Sequence, residues 1–258
     1  MIDTHSHIYE PDFDEDRELV IQRARLAGVE CILLPNINEA SVDRMLTLCH
    51  SFPGYCYPMI GLHPEDVSDD YLQVLDRMEE QLKAPSHPYI AIGEIGLDFY
   101  WDTTRTGQQI DAFSRQIEWA IHYKLPLMIH SRSAHTELVQ SLRQYASKGL
   151  TGVFHCFGGT IEEAQELLSF DGFMLGIGGI STFKKSPLPE VLKTVPLQRI
   201  VLETDSPYLA PVPYRGRRNE TAYVAEVMKK VAEIYNVSPQ EVENVTNANT
   251  KRVFSLIK

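Results

Sequence analysis

The sequence predicts a (β/α)8 barrel, also called a TIM barrel, that forms a single domain over residues 1–258. Eight short apolar stretches rich in β-branched residues alternate with amphipathic stretches, which is typical of a parallel sheet covered by helices. The C-terminal ends of consecutive strands lie 21 to 36 residues apart, as expected when each unit contains one strand and one helix. A doubly wound open sheet is the alternative, but no glycine-rich phosphate-binding turn follows the first strand.

The predicted strands follow from short runs of apolar residues bounded by turn residues. In chain order they are MIDTHSH, VECILLPN, YPMIGLHP, YIAIGEIGLD, LPLMIHSR, TGVFHCF, GFMLGIGG and RIVLETDSP. Their near-continuous hydrophobicity indicates strands that are buried on both faces.

Helices are predicted where apolar residues recur every three or four positions. The first is DRELVIQRARLAG, with Leu19, Ile21 and Leu26 as apolar positions and a glycine at its end. A fourth stretch, TIEEAQELLSF, begins with the capping pair Thr160 and Glu163. The other predicted helices are 71–83, 108–124, 221–235 and 238–257.

The composition predicts a soluble globular protein, because 43% of the residues are hydrophobic and 23% are charged. No apolar run reaches the roughly 18 residues of a membrane span. The N-terminus lacks the basic and apolar regions of a signal peptide, so we expect a cytoplasmic protein without membrane contact. None of the 4 cysteines forms a C-x-x-C pair, which favours buried free thiols.

The net charge of −11 excludes a protein that coats nucleic acid through charge alone. If the substrate is a polyanion, its attraction must be local. Bound cations or a small basic cluster would have to supply it.

Potential metal ligands stand at five of the eight predicted strand ends, which share the mouth of a barrel. They are His5, His7, Glu94, His130, His155 and Asp205. His5 and His7 are separated by a single serine on a predicted extended strand, so their side chains should point to the same side. Glu94 lies inside an apolar strand without a nearby basic residue, and a carboxylate buried in this way normally pairs or binds a cation.

Six ligands exceed the needs of one catalytic ion, so they predict two divalent ions per subunit that share Glu94. One ion would be held by His5, His7, Glu94 and Asp205. The other would be held by Glu94, His130 and His155. Mg, Mn and Zn are all compatible with this mixture of imidazole and carboxylate ligands.

Further side chains near the strand ends could hold an anion. Arg132 follows the fifth strand, and Arg215 and Arg217 lie in the loop PYRGRRNE after the eighth. Guanidinium groups suit phosphate oxygens, although a solvated basic loop is the alternative for the last two. His63 could contact substrate or anchor its own loop. Asp205 is predicted to accept a proton as well as to bind metal, with Glu203 as a deeper structural carboxylate.

The motifs DTHSH, GEIGLDF, PLMIHSR, FHCF, LETDSP and RGRRNE occur in this order. Together they resemble the TatD-like metal-dependent deoxyribonucleases over essentially the whole chain. The resemblance implies a barrel of the metal-dependent hydrolase superfamily, cleavage of DNA phosphodiester bonds with 3′–5′ exonuclease action, and metal binding at the same six positions. Tyr9 departs from the pattern, since an aspartate or asparagine is usual there.

The expected partner is therefore DNA, as single strands or frayed 3′ ends. Two alternatives stay open. The same centre could hydrolyse another ester or an amide, such as a small phosphate ester, an aminoacyl-tRNA ester, a lactone or a cyclic amide. A metal-loaded binding protein without activity is the other, but the chain carries every expected ligand.

Overall fold

The computed structural model describes residues 1–257. These residues contain eight parallel strands: β1 Ile2–Asp3, β2 Cys31–Leu34, β3 Cys56–Pro58, β4 Ile92–Asp98, β5 Leu127–Arg132, β6 Gly152–Phe154, β7 Phe173–Ile177 and β8 Ile200–Leu202. Seven of these strands lie within the corresponding predicted stretch, and β3 begins one residue before its stretch and covers only the first two residues of it.

The strands follow one another around a barrel. β1 to β3 form one ladder and β4 to β8 form another, both in sequential order. Two isolated parallel bridges, Ile60 with Ile92 and Ser6 with Ser206, join the edges of these ladders. At the second junction the amide of Asp205 donates to the carbonyl of His5 at 2.9 Å. The predicted (β/α)8 barrel is confirmed.

Seven of the described helices lie between successive strands along the chain, and the last two follow β8. They are α1 Arg17–Leu26, α2 Val42–Ser51, α3 Tyr71–Leu82, α4 Thr106–Tyr123, α5 His135–Arg143, α6 Ile161–Leu168, α7 Leu188–Leu192, α8 Val224–Tyr235 and α9 Pro239–Val253. α2, α5 and α7 were not predicted. Thr160 and Glu163 form the predicted capping box at the start of α6. Within residues 1–257 no helix is both long and apolar enough to cross a membrane.

The predicted packing face of α1 is wrong in part. Leu19 is 53% exposed and Leu26 is 89% exposed, whereas Val20, Ile21 and Ala24 are buried. Leu26 is the last residue of the helix, so its side chain extends past the surface that α1 packs against. The chain then turns at Gly28, whose φ of 87° favours glycine.

A separate apolar cluster runs through the barrel strands, with Met128, Val153 and Val201 as typical members. Phe254 and Ile257, which follow α9, belong to the same cluster. Side chains two residues apart share a face of a strand, so Met128 and His130 lie on one face, as do Val153 and His155. The interior of the barrel is therefore filled with apolar side chains towards the N-terminal ends of the strands, and polar side chains follow at the C-terminal ends, which form the mouth.

Candidate metal centre at the barrel mouth

The first group of predicted ligands comes from the ends of β1, β4 and β8. His5 Nε2 lies 3.1 Å from His7 Nε2 and 3.0 Å from Glu94 Oε2. Asp205 Oδ1 lies 3.7 Å from the Nε2 atoms of both histidines. The structure therefore brings together these four side chains, and the extended backbone at Ser6 turns both imidazoles to the same side.

The second group surrounds the other oxygen of the same carboxylate. Glu94 Oε1 lies 2.7 Å from His155 Nε2 and 3.2 Å from His130 Nδ1. The two imidazole nitrogens are 3.2 Å apart. Each oxygen of Glu94 therefore faces a different pair of histidines, an arrangement suited to a carboxylate shared between two cations.

Tyr9 determines which nitrogen of His7 faces this centre. The Tyr9 hydroxyl lies 2.6 Å from the carbonyl of Pro35, which can only accept, so the hydroxyl donates there. His7 Nδ1, 3.0 Å from the same hydroxyl, is then the donor to its lone pair. The remaining nitrogen, Nε2, presents a lone pair to the centre when the ring is neutral.

Asp98 determines which nitrogen of His130 faces the centre. Its Oδ2 lies 2.9 Å from His130 Nε2, and its Oδ1 accepts from the amide of Tyr100 at 2.9 Å. Asp98 is fully buried, and an ionised carboxylate only accepts, so His130 carries its proton on Nε2 and turns Nδ1 inward. Sequence reasoning missed Asp98. Its position four residues after Glu94 on the same strand, and hence on the same face, was the available signal.

The electrostatics of the cluster depend on Glu94. Burial acts to raise the pKa of this carboxyl, but the imidazoles of His155, His5 and His63 outweigh it and hold the pKa well below its usual range. Burial acts to lower the pKa of His155, yet Glu94 and Glu203 hold it well above the ordinary value. Burial lowers the pKa of His5, so this imidazole is neutral.

Asp205 and Glu203 follow β8, and each has a carboxylate oxygen within 4.8 Å of a ring nitrogen of His5. Burial raises the pKa of Asp205 to about 6, so a cation bound beside it would favour the ionised form. Glu203 is completely buried, and its Oε1 accepts from the amide of Cys156 at 2.5 Å. Glu203 thus contacts the backbone at Cys156, and its structural role stays a prediction.

The donor set fits divalent cations. The Nε2 atoms of His5 and His7 lie around one oxygen of Glu94, and His130 Nδ1 and His155 Nε2 lie around the other. Neutral acceptors at these separations repel one another unless a proton or a cation lies among them. Imidazole and carboxylate are ligands for transition metals and Mg. The chain thus carries histidine and carboxylate groups that could bind metal ions.

A pocket of about 730 Å³ opens above the centre. Its lining includes His63 and Arg132 in addition to the proposed ligands. His63 Nδ1 accepts from the amide of Glu65 at 3.2 Å, so its Nε2 carries a proton and lies 3.4 Å from Glu94 Oε1. His63 therefore offers a donor to the pocket rather than a ligand lone pair.

The arginines after β8 lie elsewhere. Among the lining residues that the structure describes, neither Arg215 nor Arg217 appears. The guanidinium of Arg215 lies 3.9 Å above the ring of Phe183, and Arg217 is exposed. Arg218 pairs with Asp16 at 2.8 Å, so it connects this loop to the start of α1.

Comparison with known proteins gives consistent results. A family model described as "TatD related DNase" matches residues 2–255. An uncharacterised metal-dependent hydrolase, YabD of Bacillus subtilis, is 35% identical over 99% of both chains. The 3′-5′ ssDNA/RNA exonuclease TatD of Pectobacterium atrosepticum is 33% identical over 99% of this chain and 100% of that protein. The crystal structure of YjjV, a TatD homologue of Escherichia coli, superposes with a TM-score of 0.89 at 30% identity, covering 99% of this chain and 98% of the other.

Proposed function

Because the chain belongs to the TatD-related DNase family of metal-dependent hydrolases, we propose that it is a 3′–5′ exonuclease of single-stranded DNA. We further propose that residues 1–258 form one catalytic domain. The arrangement of Glu94 carries this proposal: its two oxygens face separate pairs of histidines at the floor of a pocket that also holds a guanidinium.

Six side chains are proposed to hold two divalent ions: His5, His7, Glu94, His130, His155 and Asp205. Bound ions would lower the pKa of a water and offset the charge of the phosphodiester. Glu94 keeps the two ligand groups at a fixed separation, because its buried side chain contacts both. Asp98 and Tyr9 hold His130 and His7 in the tautomers that direct lone pairs inward.

Substrate contacts are proposed for His63 and Arg132. The Nε2 proton of His63 can donate to a non-bridging phosphate oxygen, and Arg132 adds a positive charge at the rim of the same pocket. Arg215 and Arg217 are proposed to contact more distant phosphates of the strand, since they lie outside the pocket lining.

Asp205 is proposed as the general base. Its Oδ1 faces the first ligand group at the edge of the pocket, so the carboxylate can accept a proton from the attacking water there. Its ionised form is required for this step. As the water oxygen bonds to phosphorus, the bond from phosphorus to the leaving oxygen of the DNA strand breaks, and that oxygen takes up this proton or one from bulk water.

The function can be tested with metal-reconstituted protein and single-stranded DNA labelled at either the 3′ or the 5′ end. A 3′–5′ exonuclease releases the 3′ label at once as a mononucleotide and shortens the 5′-labelled strand stepwise. RNA of the same sequence would show whether the protein prefers a deoxyribose or a ribose backbone. Hydrolysis of a lactone or a peptide in place of both nucleic acids would contradict the proposal.

Arg132→Ala gives a second test. It should raise KM for DNA by about 10-fold, the loss expected for one charge-assisted hydrogen bond, with little change in melting temperature. Arg143→Ala is the matched control, because Arg143 is 61% exposed and pairs with Glu166 on the helices outside the barrel. Equal effects of the two substitutions would argue against a phosphate contact by Arg132.

A further inference from the structure

Large aromatic side chains are exposed on two loops at the barrel mouth. Tyr100 is 55% exposed and Trp101 is 66% exposed in the loop after β4, and Tyr208 is 54% exposed in the loop after β8. In a ring of eight sequential strands, the fourth and the eighth lie across from each other. The pocket above the metal centre therefore lies between these loops, and both Trp101 and Tyr208 line it.

The loop after β4 combines an aromatic surface with a positive charge. The guanidinium of Arg132 lies 3.8 Å above the ring of Tyr100 and 5.2 Å from the ring of Trp101. The two rings meet edge to face with 4.8 Å between their centroids. One face of Tyr100 is thus covered by Arg132, which leaves the indole of Trp101 as the open aromatic surface beside the charge.

On the other side, Tyr208 lies against the first ligand group. Its ring centroid is 6.3 Å from that of His7, and its amide donates to the carbonyl of Asp205 at 2.8 Å. The phenol is therefore held close to the metal ligands while half of its surface stays open. A flat group next to a phosphate at the metal centre would reach it.

A nucleotide presents the matching chemistry, a flat aromatic base joined through a sugar to a phosphate. Every base has a π-face, so stacking on aromatic side chains tolerates any sequence. The pocket volume of about 730 Å³ falls in the range for small-molecule sites. Paired bases are already stacked in a duplex and cannot open to such surfaces without cost.

We propose that Trp101 and Tyr208 are stacking surfaces for the bases on either side of the phosphate that is cleaved. The inference rests on the proposed nuclease function and adds how the substrate is held. It explains selection of single strands through unstacked bases rather than through a charged groove. It also makes recognition independent of base identity.

Intrinsic fluorescence can report this contact directly. The chain has 2 tryptophans, Trp101 and Trp119. Trp119 lies in α4 and is only 6% exposed. The metal-reconstituted protein would be titrated with a phosphorothioate oligothymidine, which resists cleavage. We expect quenching in the wild type and in Trp119→Phe, and loss of the quenching in Trp101→Phe.

The affinity for the oligonucleotide shows whether Trp101 stacks on a base or only lies close to the bound DNA. Trp101→Ala should bind the oligothymidine about 10-fold more weakly, while Trp101→Phe should bind within about 3-fold of the wild type because phenylalanine still stacks. An abasic oligonucleotide of the same length and charge should bind the wild type and Trp101→Ala equally. Leu26→Ala, at an exposed apolar residue of α1, is the matched control and should change nothing.

Each outcome is decisive. If the wild type degrades DNA and Trp101→Ala binds and degrades it equally well, the stacking surface is wrong and the nuclease function stands. If the wild type neither binds nor degrades any oligonucleotide, the stacking proposal and the proposed nuclease function are both wrong. If Trp101→Ala instead abolishes a dimer that the wild type forms, Trp101 belongs to an interface between copies of the chain and the inference is overturned.

Discussion

Asp98→Asn should impair metal binding by reversing the tautomer of His130. In the wild type both carboxylate oxygens accept, one from the amide of Tyr100 and one from His130 Nε2. Asparagine has a single oxygen. If that oxygen stays with Tyr100, the NH2 group faces His130 Nε2, which must then accept. The imidazole proton moves to Nδ1, the atom that faces Glu94 and His155.

The size of the expected loss in metal affinity follows from the hydrogen bond that the asparagine amide cannot make in either orientation. A hydrogen bond to a charged group contributes about 1.5–3 kcal/mol, which corresponds to about 10- to 150-fold in a binding constant. This agrees with the 10- to 100-fold that second partners of metal-bound histidines generally contribute. We therefore expect metal affinity at the group of Glu94, His130 and His155 to fall by about 100-fold.

Calorimetric metal titration would measure the affinity and the number of ions bound. Nitrogen NMR of the imidazoles would show which atom of His130 carries the proton. Asp98→Ala removes the acceptor without adding a donor, so its loss should be smaller, about 10-fold. Asp102→Asn is the matched control, because Asp102 lies in the loop that follows Asp98, accepts hydrogen bonds from Thr104 and forms an ion pair with Arg105 at 3.7 Å. Wild-type affinity in Asp98→Asn, with the proton still on Nε2, would refute the reasoning.

Further predictions concern the ligands themselves. Glu94→Gln should bind fewer ions than the wild type and lose at least about 100-fold in turnover without unfolding, and near-normal turnover in saturating metal would contradict the shared carboxylate. Asp205→Asn keeps an oxygen ligand but no base, so it should retain most of its metal and lose about 100-fold in turnover on labelled DNA. Tyr9→Phe removes the acceptor for His7 Nδ1, so equilibrium dialysis should show about 10-fold weaker metal binding. Protons compete with metal for Asp205, whose pKa is about 6, and for His155, whose pKa is raised. Affinity should therefore fall as pH is lowered from about 8 to about 6, and a flat profile would contradict this.

The ends of the strands were predictable from sequence because alternation along a strand decides which side chains share a face. His130 and His155 each follow an apolar interior residue by two positions, so their convergence needed no knowledge of packing. Of the partners that orient the imidazoles, Asp98 could have been found by the same alternation from Glu94, but Tyr9 could not. Tyr9 reaches the carbonyl of Pro35, which directly follows the neighbouring strand β2, so the contact depends on the register between β1 and β2.

Helices and loops show the same division between local pattern and tertiary packing. α7 has only five residues, too few for a period to emerge. The loop PYRGRRNE lies close in sequence to Asp205, which suggested that Arg215 and Arg217 reach the mouth, but neither is among the residues that line the pocket above the metal centre. Arg218 instead pairs with Asp16 and stacks on Phe13 at 4.4 Å, where it connects the loop to the N-terminal segment. Nearness in sequence does not decide the direction in which a long side chain extends.

The charge of the chain also constrains how it can engage a polyanion. With a net charge of −11, the long-range field opposes the approach of DNA. Attraction must act over short distances, at the ligand groups around Glu94 and at Arg132 on the pocket rim. A site of this kind can hold only a few phosphates, and stacking on Trp101 and Tyr208 would add affinity that carries no charge. Such a combination suits an enzyme that captures the end of a strand in one pocket, because a protein that binds along a strand needs a continuous basic surface.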